Sequence, residues 1–170
     1  SDNPVTLEIP KMKRNLINQL IVATLAFSGT SFGADLIDYP DGYRLWAHVK
    51  SMTIHEGHAL ENPFLGIHHV YANDRAIDGL KTDGFEDGAV LVFDQLRSEE
   101  AGKVSVEGER VLIGVMVKDS KRFPETGGWG YEGWSGDSRT QRLVSDGGVS
   151  CHGCHTQQKD RDYVFSQWRD

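Results

Sequence analysis

The chain has 170 residues, 18 Lys and Arg against 25 Asp and Glu, and a formal net charge of −7 at pH 7. That sign disfavours nucleic acid and anionic membrane, since like charge repels phosphate backbones and headgroups, and it suits a basic protein partner better. With 38% hydrophobic residues and only two cysteines, Cys151 and Cys154, the composition is that of one domain with one core rather than a disulfide scaffold.

The first residues have the three parts of a secretory signal in order: basic Met12-Lys13-Arg14-Asn15, an apolar run from Leu16 to Phe27, and small residues from Ser28 to Ala34. Met12 is then the natural start, and cleavage is predicted near Gly33 or Ala34. The apolar run is too short for a membrane span, which needs about 20 residues, so a retained anchor is the weaker alternative. Residues 1–34 are therefore read as an upstream segment with a signal peptide and residues 35–170 as a single domain. Removing Lys11, Lys13 and Arg14 together with Asp2 and Glu8 leaves a mature chain of about −8. Export places it in the periplasm, where bare thiols tend to pair.

Tyr43, Trp46 and Val49 or Lys50 recur near the helical period, which predicts a short amphipathic helix over 42–52. Residues 53–63 are polar and carry His55, Gly57, His58 and Pro63, the composition of a loop. Ile67 to Ala72 reads as a strand, after which Asn73-Asp74 caps a short helix reaching Leu80. Gly84 and Asp87-Gly88 mark a turn. Residues 89–96 are apolar and β-branched, and in 109–118 Val111, Ile113, Val115 and Val117 alternate on one face; both are strands. Residues 129–134 form one more strand or an ordered loop, and residues 162–168 a final helical turn. The fold class is α+β, predominantly antiparallel β with short helices.

Chemistry concentrates in Cys151-His152-Gly153-Cys154-His155. Two thiols three positions apart can each add to a haem vinyl group, and the histidine directly after the second can turn its imidazole onto the iron. A disulfide is the lesser reading. Zinc is weaker still, because four ligands drawn from five consecutive residues surround one ion poorly.

Several stretches around this motif, in order, resemble the cytochrome P460 family, including its cytochrome c′-beta branch. They are Tyr43-Arg44-Leu45-Trp46, Val70-Tyr71-Ala72-Asn73, Phe85-Glu86-Asp87-Gly88-Ala89-Val90, Val117-Lys118-Asp119-Ser120-Lys121-Arg122-Phe123 and the terminal Cys-x-x-Cys-His. The resemblance implies a mostly β fold, usually a homodimer, holding one covalently attached haem c with His155 as proximal ligand and the other face open to small nitrogen species. In hydroxylamine-oxidising members a lysine after the Asp-Gly turn is joined to the haem ring; the matching position here is Phe93. Their pocket carboxylate falls at about Gly114, with Glu107 or Glu109 nearer only if the alignment slips, and His68 stands where they carry a pocket arginine. These departures point to the gas-binding c′-beta branch, where a phenylalanine shields the iron.

An apolar cap at Phe93 strips solvent from bound water or anions without replacing it, and costs small, nearly apolar nitric oxide or carbon monoxide far less. The leading expectation is an exported mono-haem cytochrome that binds nitric oxide for sensing, storage or detoxification. An oxidoreductase acting on hydroxylamine or nitric oxide is second, and an electron carrier third, possible partners being a redox cytochrome and a second copy of the chain. His68 can donate to a bound ligand or reach the iron itself. His69 should point to the opposite face of its strand, His48, His55 and His58 to solvent, and Trp46, Trp129 and Trp134 to the core or against the haem.

Overall fold

The computed structural model describes residues 37–169; the predicted signal segment over 1–34 lies outside them. Five antiparallel strands form a single sheet in chain order: β1 (Ala47–Ile54), β2 (Gly66–Ala72), β3 (Val90–Ala101), β4 (Val104–Lys118) and β5 (Trp129–Ser135). Helical pieces are short: a single turn α1 (Glu61–Phe64), α2 (Asp74–Thr82) between β2 and β3, and α3 (Val149–His155), followed by a 3-10 segment over Thr156–Arg161. The α+β, predominantly antiparallel class is as expected. Among the described residues no helix is long and apolar enough to cross a membrane.

Two sequence expectations fail. Residues 42–52 are not a helix: a 3-10 turn at Tyr43–Leu45 leads straight into β1. The misleading spacing comes from a bulge between His48 and Lys50, which inserts a residue into the pairing with β2 and so breaks the two-residue period. Residues 162–168 are not helical either, because Asp162 (φ 48°) and Tyr163 (φ 66°) are both left-handed and stop helix propagation. The other predicted strands and α2 fall where expected, with β3 and β4 running further into a hairpin closed by Gly102-Lys103, where Gly102 takes φ 72°; the loop expected over 53–63 instead begins with the end of β1 and finishes in α1, and α3 answers to no predicted element.

Strand register sorts side chains onto two faces. His68, Val70 and Ala72 of β2 stand opposite Gln95, Phe93 and Leu91 of β3; Phe93 and Leu91 in turn face Gly114 and Met116 of β4, and Met116 faces Tyr131 of β5. This first face carries a core cluster that includes Val70, Leu91, Trp129, Tyr131 and Val164, with Phe93, Met116 and Cys151 packed at its border. The second face holds Tyr43, Tyr71, Val92, Ile113, Val115 and Trp134 in a separate cluster. Also on the second face is Asp94, fully buried, which accepts from Tyr43 Oη at 2.7 Å, Arg110 Nε at 2.7 Å and Arg44 Nη1 at 3.3 Å.

The quoted motifs lock these pieces together. Asn73 Oδ1 caps α2 through the Ala76 N–H (2.9 Å) and also accepts from the Val90 N–H (3.0 Å), while its Nδ2 donates to the Gly88 carbonyl (2.9 Å). Asp87 accepts from the Ser120 N–H at 2.8 Å and from its hydroxyl, tying the turn before β3 to the one after β4.

Candidate functional site

Helix α3 presents Cys151 and Cys154, three residues apart, and His155, four after Cys151, along one side. Its start is held by Asp146, which accepts from the Gly148 N–H (3.0 Å) and the Ser150 N–H (2.9 Å). Gly148 is left-handed at φ 88°, and a Cβ there would lie 3.0 Å from that of Tyr131, so glycine lets the helix settle onto β5. Both cysteines are free thiols; Cys151 is half-buried and Cys154 exposed. Burial pushes the Cys151 thiol up, with Asp146 adding to the effect, so it is held protonated. Among the described residues no three His, Cys, Asp or Glu side chains converge to hold an ion by themselves.

His155 is the best-defined group. Its Nδ1 lies 2.8 Å from the carbonyl oxygen of Tyr163; a carbonyl can only accept, so Nδ1 carries the proton and Nε2 keeps its lone pair. Burial lowers the pKa of His155, with His152 acting in the same direction and the Tyr163 carbonyl opposing, and the ring is therefore neutral at pH 7. The ring packs against Tyr131 (centroids 5.1 Å apart) and edge-on to Phe165 (5.1 Å). A neutral, oriented imidazole with Nε2 available is what an iron ligand requires.

Phe93 lies at the border of the same core cluster as Cys151 and on the same face as Tyr131, so the predicted cap and the attachment helix meet on one side of the sheet. Directly across from it is Gly114, where an added Cβ would make ordinary contact with Phe93 at 3.7 Å. The acidic alternatives are engaged elsewhere: Glu107 pairs with His69 Nε2 at 2.6 Å on the second face and lies 3.9 Å from Arg44 Nη2, and Glu109 is exposed beside Arg97. His68 is 1% exposed, its ring 4.7 Å from that of Phe93, and neither ring nitrogen meets a hydrogen-bond partner. The Phe64 backbone lies close enough to oppose, only in part, the lowering of its pKa by burial. His69 points to the other face, bonding Ser51 Oγ at 2.7 Å, as strand alternation demands. His48 is exposed on a strand rather than a helix, and His55 and His58 are exposed in the loop region. Trp46 and Trp134 pack on the second face, while Trp129, with Trp168 packed against the same cluster, lies on the face of Phe93.

Three contributors escape the sequence reading. Phe64 packs edge-on to Phe93 (5.7 Å) and to His68 (6.5 Å), completing an aromatic triad; its place in a polar stretch hides it. Tyr131 supports His155 and is legible only as an aromatic in a strand. The acceptor for His155 is a backbone carbonyl and so has no residue signature at all.

The donor set fits a covalently held haem. Two thiols and a neutral imidazole lie on one side of α3, an apolar ring faces the same core, and a buried histidine beside that ring has two unsatisfied nitrogens. Comparison with protein families points to a haem as the cofactor. The family model described as Cytochrome P460 matches residues 40–166, most of the chain and nearly all of its described part. A putative ABC transporter ATP-binding protein of Methanosarcina mazei is similar at 30% identity over 98 residues, covering 54% of this chain and 22% of that protein. The chain thus spans about a fifth of that relative's length. Its own Gly102-Lys103 is followed by Val104 and has Arg97 where a phosphate loop carries its first glycine, so the nucleotide-cradling pattern is absent from the sequence.

Proposed function

The chain belongs to the cytochrome P460 family, and from that premise we propose that it is a mono-haem c-type cytochrome whose Phe-capped iron binds nitric oxide or a similar small gas. Cys151 and Cys154 would hold the haem through thioethers and His155 would ligate its iron. The group supplies a redox-active metal with one coordination position for a diatomic ligand. The observation that carries the reading is the 2.8 Å contact between His155 Nδ1 and the Tyr163 carbonyl, which leaves Nε2 as the free donor.

The chain's own residues do the rest. The Tyr163 carbonyl orients His155 and raises its basicity. Phe93, backed by Phe64, excludes water and offers no hydrogen bond, which disfavours anions and polar ligands relative to a nearly apolar gas. Phe93 takes the place of the crosslinking lysine and Gly114 that of the proton-accepting carboxylate, which speaks against hydroxylamine oxidation. Export to the periplasm, a homodimer and an electron-exchanging partner of basic surface belong to the same reading, supported by the sequence signal, the family and the net charge.

His68 favours a second reading. A buried histidine with two unsatisfied nitrogens beside the cap is a candidate sixth ligand, and a bis-histidine cytochrome carries electrons rather than gas. The optical spectrum of the purified protein decides. A high-spin ferrous form that shifts on adding nitric oxide is expected; sharp low-spin bands without added ligand would establish the electron carrier, and turnover of hydroxylamine with an added acceptor would establish the enzyme. Mass spectrometry finding unmodified thiols in matured protein would overturn all three.

A further inference from the structure

Tyr163 supplies its carbonyl to His155 from a left-handed conformation (φ 66°), directly after a second left-handed residue, Asp162 (φ 48°). Neither is glycine, so the turn is held by its surroundings. The holding group is the Asp162 carboxylate. It accepts from Lys118 Nζ at 2.7 Å on both oxygens, from the Phe85 N–H at 3.2 Å and from Trp129 Nε1 at 3.3 Å. Lys118, at the end of β4 on the same sheet face as Gly114 and Met116, is nearly buried; it donates once more to the Gly127 carbonyl at 3.0 Å and lies 5.0 Å over the Trp129 ring. Gly127 in turn gives way to Tyr163, since a Cβ there would come within 2.3 Å of the Tyr163 ring.

We infer that the Lys118–Asp162 ion pair is the positioning device of His155: it clamps the left-handed turn that aims the Tyr163 carbonyl at Nδ1, and through that hydrogen bond sets the strength of the iron–imidazole bond. The inference rests on the reading of His155 as the haem ligand. Residues 44 positions apart thereby connect the sheet to the ligand without touching the iron. Removing the cation leaves the carboxylate without its strongest donor, lets the turn relax, and takes the acceptor away from Nδ1. The imidazole then becomes a poorer donor at Nε2.

Resonance Raman spectroscopy of the ferrous holoprotein tests this through the iron–imidazole stretching band. Lys118→Met and the near-isosteric Asp162→Asn are each expected to shift the band to lower frequency and to enlarge the fraction of the nitric oxide adduct that has lost its proximal histidine. Lys118→Arg, which keeps the charge and the donors, should restore the wild-type band. Asp94→Asn, which breaks a buried ion pair on the opposite face, should leave the band unmoved and so controls for simple destabilisation. A wild-type band position in both Lys118→Met and Asp162→Asn would overturn the inference while leaving the haem reading intact. A wild-type protein without any iron–imidazole band would overturn the five-coordinate gas-binding reading on which the inference rests, and one without haem absorption would overturn the haem reading itself.

Discussion

Asp94 and Phe93 are consecutive on β3 and so point to opposite faces, which makes stability and ligand binding separable by substituting neighbours. Asp94 is 0% exposed and accepts four hydrogen bonds, from Tyr43, Arg44 and twice from Arg110. Its influence is visible on its partners: burial first, then the bond to Asp94, raises the Tyr43 pKa, and the same carboxylate raises that of Arg110. Asp94→Asn keeps the shape but removes the charge from a buried cluster, a change that costs about 3–5 kcal/mol when one partner of a buried pair is lost. The lower end applies, because Arg44 is 46% exposed and Arg110 retains Asp137. About 3 kcal/mol lowers the thermal midpoint of a domain this size by roughly 10 °C. Urea and thermal unfolding of the holoprotein measure the loss, and its visible spectrum and nitric oxide affinity should match wild type. Phe93→Leu should do the reverse, costing under about 1.5 kcal/mol as a hydrophobic swap while changing ligand affinity. A loss below 1 kcal/mol for Asp94→Asn, or a spectral change equal to that of Phe93→Leu, would refute the two-faced account of the strand.

Burial lowers the pKa of His68 from its ordinary 6.5, so on acidification the unfolded chain takes the proton first. The contribution is fully present above about pH 6.5 and is lost as pH falls towards the folded value. His68→Leu should therefore lose less stability between pH 7 and pH 5 than wild type, and at pH 7 should gain on the order of 1 kcal/mol by removing two unsatisfied buried nitrogens; urea midpoints at both pH values check this, and equal losses would exclude it. Asn73→Ala removes the α2 cap and the acceptor for the Val90 N–H, about 2–3 kcal/mol together. Asn73→Asp, which keeps both accepted bonds and loses only the donation to Gly88, should recover most of it in the same assay.

Where side chains announce the structure, the sequence is readable. The period-two apolar pattern of β4 survives because Ile113 and Val115 are buried while their neighbours are not, and Asn73 marks the start of α2 by the chemistry of a cap. β1 is misread because its bulge displaces Val49 and imitates helical spacing. The outer hairpin, 97–101 with 104–108, is mostly exposed, its Val104 and Val106 included, so ladder hydrogen bonds rather than burial hold it there. The site divides the same way. Cys151, Cys154 and His155 are adjacent in sequence and legible as a motif. The carbonyl that orients His155 is backbone, and the Lys118–Asp162 pair that places it is non-local, so only folded geometry reveals either.

The motifs by which the chain resembles its family are, with the exception of the terminal one, bracing rather than chemistry. Asn73 joins α2 to β3, Asp87 joins the turn before β3 to Ser120 after β4, the Gly88 N–H donates to the Lys118 carbonyl (2.8 Å), and the Lys118 side chain reaches on to Asp162, beyond the end of α3 in the chain. Phe93, Gly114 and His68, which face the proposed ligand position, take no part in this brace. Their side chains can change, and with them the ligand or reaction, without disturbing the hydrogen bonds that build the site. That separation is why family membership here specifies the fold and the prosthetic group, and why the choice between gas binding, oxidation and electron transfer turns on three positions that the shared motifs do not include.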